Sequence, residues 1–271
     1  VMGFVQMSFA ASQILGLPIG LELANRFGWH SPFWMIAVVS IFSWAIIAIY
    51  MKPVTAHLKT SYEHNAFQHL LKTLSKRMYL KAFLATVFLA TGGFMLMPFG
   101  SAFSINNLKI SLADLPLLYL VTGISSIAFG PLLGMLSDKA GKYRLFAIGT
   151  VITILMVIIY TNLGATPFWI VVALNILLFV GITSRMISGS ALMTAVPEQH
   201  DRGAFMSINS SIQQISGGIA AAVAGLIVVQ ESNGHMDHYD LLGYVVVGSM
   251  LITVGLMYVL NEQLKKKVKG L

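Results

Sequence analysis

The chain has 271 residues, of which 56% are hydrophobic and 10% charged, with a mean hydropathy of +0.79 and a formal net charge of +7. A soluble domain carries about 25% charged residues, so no water-soluble core of this size could hide the apolar surface. With no cysteine, a disulfide framework and a thiolate metal site are excluded as well.

The apolar residues fall into runs of about 20, the length at which an α-helix crosses the hydrocarbon. Eight spans are predicted, at about 2–25, 32–51, 81–104, 113–136, 145–163, 167–189, 204–229 and 241–261, giving an all-α, multi-pass membrane protein. The chain opens at Val1 inside an apolar pattern, without a basic leader or an initiating Met, as a fragment would. Basic residues in loops favour the cytoplasm. Of the 17 Lys and Arg, all but Arg26 and Lys109 can be placed on one side, which puts both termini in the cytoplasm. The positive charge then reflects topology and not nucleic-acid binding.

The first span carries small residues at Gly16, Gly20 and Ala24, a stripe that lets helices approach closely in lipid. Gln13 lies deep in this span. Glu22, the carboxylate of the first span, falls near the outer interface, where a solvated helix end or a proton site are both open readings. Lys52 to Arg77 is the longest polar interruption. Within it Phe67, Leu70, Leu71, Leu74 and Met78 recur at helical spacing, as either an amphipathic surface helix or a solvated linker with some helix. The third span contains Gly92, Gly93 and Pro98, which can break it, since Pro98 removes a helical hydrogen bond.

The fourth span has its own small stripe, Ser126, Gly130 and Gly134, and then runs into Gly130-Pro-Leu-Leu-Gly-Met-Leu-Ser-Asp-Lys-Ala-Gly-Lys-Tyr-Arg144. Asp138, Lys139, Lys142 and Arg144 must reach water or pair, so this junction is a membrane surface. Gly141 can take the positive φ of a tight turn between two helices. In the sixth span Arg185 lies about a turn inside the surface and is expected to snorkel out to it. Asn175, Asn209, Gln213 and Gln214 can hydrogen-bond a substrate in a central cavity or pair between helices. The seventh span carries a third stripe, Gly217, Ala221 and Gly225. Phe4, Gln13, Ile14 and Gly16 recur at the same spacing as Phe205, Gln214, Ile215 and Gly217, as a parallel repeat or by coincidence. In the last outer loop, His235 and Asp240 have the H-x-x-x-x-D spacing of acyltransferases, and His235, Asp237, His238 and Asp240 could hold a metal; a plain solvated loop is the expectation. No Walker-type phosphate loop occurs.

The stretch Gly134, Leu136, Asp138, Lys139, Gly141 and Lys142 resembles the loop signature of the major facilitator superfamily, with Tyr143 departing from it and Arg144 restoring a basic residue. Gly16-Leu-Pro18-Ile-Gly20 resembles the fifth-helix motif of the antiporters, although Leu17 and Leu21 stand where glycines are expected. Pro197 to Gly203 resembles the entrance to the eleventh helix of bacterial drug and sugar efflux members. The resemblance covers the whole chain. It implies the last eight of twelve helices: residues 1–51 as two helices of the amino-terminal bundle, 52–80 as a cytoplasmic linker with an amphipathic helix, and 81–271 as a six-helix carboxy-terminal bundle.

Proton-coupled efflux of a small organic molecule by alternating access, in a bacterial inner membrane, by a monomer without cofactor or metal, is the implied function. Gating is expected at Gly134, Asp138, Lys139, Gly141, Lys142, Arg144, Gly16, Pro18 and Gly20, and the substrate cavity at Gln13, Gly92, Gly93, Asn175, Asn209, Gln213 and Gln214. The family's loop Asp contacts a helix start in the opposite bundle, here near Val1 and Met2. A polytopic acyltransferase-like enzyme using His235 and Asp240 is the alternative.

Overall fold

The computed structural model describes residues 16, 19–20, 22–24, 26–51 and 66–269. Most of the first predicted span, including Gln13 and Pro18, lies outside them. The described elements are helix α1 (Ser31–Tyr50), α2 (Ala66–Ser75), α3 (Arg77–Phe94), a 3-10 turn (Met97–Phe99), α4 (Gly100–Asn106), α5 (Leu115–Ala140), α6 (Lys142–Thr161) and α7 (Phe168–Met193). A 3-10 turn at Gln199–Asp201, α8 (Arg202–Ile227), β1 (Val229–Gln230), β2 (Met236–Asp237) and α9 (Tyr239–Lys269) complete the order. Seven described stretches are long and apolar enough to cross a membrane, counting α3 to α4 as one.

Helix α1 buries none of its residues. The later helices pack together, α6 on α7, α3 on α8 and on α9, α5 on α7, and α6 on α9. Their inner faces form two stacked cores. One holds Phe103, Leu118, Val157, Tyr160, Val171, Tyr239 and Leu242. The other, nearer the end that carries Lys76, Arg77, Lys139, Lys142 and Arg202, holds Tyr79, Phe83, Phe146, Leu192, Phe205 and Leu260.

In lipid, helices associate by close packing because the surrounding chains are as apolar as leucine. One such close approach joins α6 to α7. A Cβ at Gly149 would lie 2.6 Å from Ser184 Cβ, and one at Gly181 only 2.5 Å from Thr153 Oγ1, so each helix fits the other only without those side chains. Of the three stripes read from sequence, Gly217 is filled, with Phe94 atoms at 2.9 Å from its would-be Cβ. Gly130 and Gly134 meet nothing within 4 Å among the described residues.

The break at Pro98 is present, since α3 stops at Phe94 and α4 restarts at Gly100. Two boundaries differ from expectation. The surface helix ends at Ser75, so Met78 belongs to α3; Lys76 is extended there, with φ −71° and ψ 119°, which turns the chain into the span. The eighth predicted span, set to end near 261, runs on as α9 through the lysines to Lys269.

Candidate functional site

The charged junction is built almost without a loop. Helix α5 continues through Asp138 and Lys139 to Ala140, and α6 begins at Lys142. Gly141 alone makes the turn, at φ +96°. Asp138, Lys139 and Arg144 are exposed, and Lys142 Nζ donates to Ala191 O on α7 at 3.4 Å. Asp138 and Lys139 thus sit in the last turn of a helix, because the apolar run before them holds helical hydrogen bonds to the end. The helix start near Val1 and Met2 that Asp138 would face lies outside the described residues.

The polar residues read as cavity candidates separate into two groups. Asn175 is buried, with Nδ2 donating to Val171 O in its own helix at 3.1 Å. Gly92 is buried too, its would-be Cβ 3.3 Å from Ser249 Oγ on α9, whereas Gly93 is exposed. Asn209 Oδ1 accepts from Thr86 Oγ1 of α3 at 2.6 Å. Gln213 and Gln214 are exposed. Gln214 belongs to a larger feature: Ser207, Ser210, Ser211, Gln214 and Gly218 are all exposed and recur at i, i+3, i+4, i+7 and i+11, one face of α8. At 1.5 Å per residue, Gln214 lies roughly 18 Å along the helix from Arg202, near mid-bilayer. A polar face at that depth faces a watery cavity or another helix and not lipid. The serines were missed because each serine alone is unremarkable in a span; their shared helical period is the signal that finds them.

A second polar centre joins segments far apart in sequence. Asp201 has a side chain only 3% exposed. Its Oδ2 accepts from Lys76 Nζ at 2.5 Å and from Tyr79 OH at 2.8 Å. Oδ1 faces His200 Nε2 at 3.3 Å and His69 Nε2, on α2, at 3.5 Å. Tyr79 OH in turn accepts from the Glu198 backbone N–H at 3.1 Å, and the Tyr79 ring meets Phe205 edge-on at 5.1 Å. The hydrogen bond to Asp201 raises the pKa of the Lys76 ammonium, against its desolvation. Donor atoms of Glu198, His200 and Asp201 lie within 4.8 Å of one another, close enough to share a cation. Lys76 already supplies one, 2.5 Å from Asp201 and 3.5 Å from Glu198. The cluster ties α2 and the start of α3 to the entrance of α8.

The major facilitator superfamily model matches residues 1–221 and 82–270, the two matches together covering nearly the whole chain. The chain belongs to the major facilitator superfamily. It is 24% identical over 270 residues to the MFS-type transporter YbcL of Bacillus subtilis, covering 98% of this chain and 65% of that protein. It is also 24% identical over 288 residues to the human MFS-type transporter SLC18B1, covering all of this chain and 60% of that one. A Bacillus subtilis MFS-type transporter, YceJ, is 29% identical over 146 residues, 53% of this chain and 36% of the relative. The chain thus spans less than two thirds of the length of these relatives.

The superfamily is one of transporters, and the outer loop is not built as an enzyme dyad. His235 Nε2 lies 3.5 Å from Asp237 Oδ1, and no ion pair between His235 and Asp240 occurs among the described residues. The expected plain loop is instead a short hairpin, Val229 opposite Asp237 and Gln230 opposite Met236. Asn107, just past α4, clasps it: Nδ2 donates to Met236 O at 3.0 Å while Oδ1 accepts from Met236 N–H at 2.9 Å. Glu22 pairs with Arg26 at 2.5 Å, with both side chains exposed. The expectation for Arg185 is corrected. It does not snorkel but is 5% exposed, with its guanidinium 5.7 Å from the Phe146 ring and Nε and Nη2 lacking a partner among the described residues.

Proposed function

We propose that the chain forms the larger part of a secondary active transporter that moves a small organic molecule outward in exchange for protons, by alternating access. The exposed polar face of α8 carries this reading. Ser207, Ser210, Ser211 and Gln214 would line the substrate cavity, with Asn209, Gln213 and the breakable segment at Gly92, Gly93 and Pro98 contributing to it. Broken helices and polar faces at mid-membrane are the features from which transport sites are built. Helix α1 supports the same picture, since a span that buries no residue here needs partners elsewhere. Residues 1–51 would then belong to the first bundle, 52–80 to the linker and 81–271 to the second bundle.

The gate would lie at Gly134, Asp138, Lys139, Gly141, Lys142 and Arg144 on the cytoplasmic side, with Gly16, Pro18 and Gly20 closing the outer side. Gly134 meets no side chain or other helix within 4 Å among the described residues, which leaves room for a helix of the opposite bundle. Both termini would be cytoplasmic, and the protein a monomer in a bacterial inner membrane.

Cysteine scanning of α8 tests the cavity. This chain has no cysteine of its own, so once any cysteine outside these residues is replaced by serine, a Ser210→Cys variant of the full-length protein carries its label where α8 is probed. A membrane-impermeant thiol reagent should modify Cys at 210 and at 214 quickly, and at Ile215 and Ile219, the exposed apolar flank of α8, slowly. Equal, slow labelling at all four positions would remove the cavity.

A further inference from the structure

A cavity of ≈ 500 Å³ opens between the basic ends of α3 and α9, lined by Arg77, Met78 and Lys81 from one helix and Gln263, Lys266 and Lys267 from the other. The residues recur at i, i+4 on α3 and at i, i+3, i+4 on α9, so each set stands on one helical face. No carboxylate lines the cavity. Lys267 has a distant partner, Glu198 at 3.7 Å, and Glu262 is turned to Lys265 at 2.8 Å. Arg77, Lys81 and Lys266 make no ion pair among the described residues. Cations gathered this closely repel one another unless an anion sits between them. The buried amide oxygen of Gln263 also lacks a partner. Its O and N positions are interchangeable by a flip of the amide, which would turn a donor toward that anion.

The surface next to the cations is apolar. On α3, Leu80 and Leu84 continue the face that carries Arg77 and Lys81; on α9, Val259 and Ile252 continue the face that carries Gln263 and Lys266. All four are exposed. A head of negative charge with two hydrocarbon tails matches this division, since basic pockets between spans at the membrane surface attract anionic headgroups. We propose that the cavity between α3 and α9 binds the phosphate of an anionic phospholipid, with its acyl chains lying along Leu80, Leu84, Ile252 and Val259. The site depends on α3 and α9 being membrane spans and not on the transport reading.

The test is a titration of the full-length protein in neutral detergent, followed by thermal melting, with phosphatidylglycerol, phosphatidylcholine or inorganic phosphate as the probe. Phosphatidylglycerol should raise Tm saturably, and Lys81→Gln/Lys266→Gln should weaken its apparent affinity about tenfold or more. Lys72→Gln, at an exposed lysine of α2 outside the cavity, should leave it near the parent value. Both lysines in the first variant are exposed, so their replacement does not threaten the core. Inorganic phosphate should neither raise Tm nor compete; if it does compete, the phosphate site stands but its ligand is a soluble phosphate. An equal response to phosphatidylcholine, or an unchanged affinity in Lys81→Gln/Lys266→Gln, overturns the proposal.

Discussion

Replacing Gly181 with alanine adds one methyl group where α6 and α7 touch. The new Cβ would stand 2.5 Å from Thr153 Oγ1, 3.0 Å from Gly149 O and 3.1 Å from Thr153 N. The hydroxyl could rotate, giving up its 2.7 Å bond to Gly149 O, but the two backbone atoms cannot. The helices must then part by several tenths of an ångström, and the loss spreads over their whole interface. Overpacking of this kind costs about 1 to 3 kcal/mol, against which alanine's better helix propensity returns about 0.8 to 1 kcal/mol. A net destabilisation of up to about 2 kcal/mol is expected, and of about 1 to 3 kcal/mol relative to a helical Gly→Ala change that meets no neighbour. Thermal unfolding in detergent measures it, with Gly255→Ala on α9 as the comparison because none of the described residues comes within 4 Å of that glycine's Cβ position. Gly255→Ala should melt at or above the parent. If Gly181→Ala does the same, the close approach of α6 and α7 is not what holds them together.

Asp201→Asn keeps the shape of the buried side chain while removing the charge that Lys76 and Tyr79 bond. It should cost about 1.5 to 3 kcal/mol, seen as faster amide hydrogen exchange in α2; unchanged exchange would mean that α2 is held by other contacts. Arg185→Met replaces a buried guanidinium whose Nε and Nη2 are unpartnered among the described residues. Burying polar groups unpaired costs about 1 to 3 kcal/mol, so this variant should raise Tm, and a lower Tm would show that Arg185 holds a structural partner. Asp138→Asn should insert normally, since acidic residues contribute little to topology, yet speed cytoplasmic labelling of a Cys placed at Gln213; unchanged labelling and unchanged transport would leave Asp138 as a topological charge only.

The spans were legible because the bilayer imposes a length and a composition, and the stretch around Pro98 because a proline leaves a helical carbonyl unbonded. Gly141 was legible for a similar local reason. The contact of Gly149 with Gly181 was not, since small stripes show which helices could pack closely but not which ones meet. Gly217 found Phe94, whereas Gly134 found nothing among the described residues. The centre at Asp201 also escaped a reading of the sequence. Lys76 and Asp201 are 125 residues apart, and neither local spacing nor charge pattern joins them. The Asn107 clasp is hidden for the same reason: its amide imitates a strand, and nothing near it in sequence announces one. Arg185 was misplaced because a long basic side chain near a helix end normally reaches the surface, while here α6 and Phe146 cover it.

Transport itself is the most direct measurement. The full-length protein, reconstituted into liposomes with an imposed pH gradient and loaded in turn with a panel of small fluorescent organic dyes, neutral and charged, should move at least one dye against its concentration gradient, and Gln214→Leu should slow that movement at least tenfold while leaving Tm unchanged. Dye movement that is the same with and without the gradient, or a Gln214→Leu variant as fast as the parent, would contradict the account.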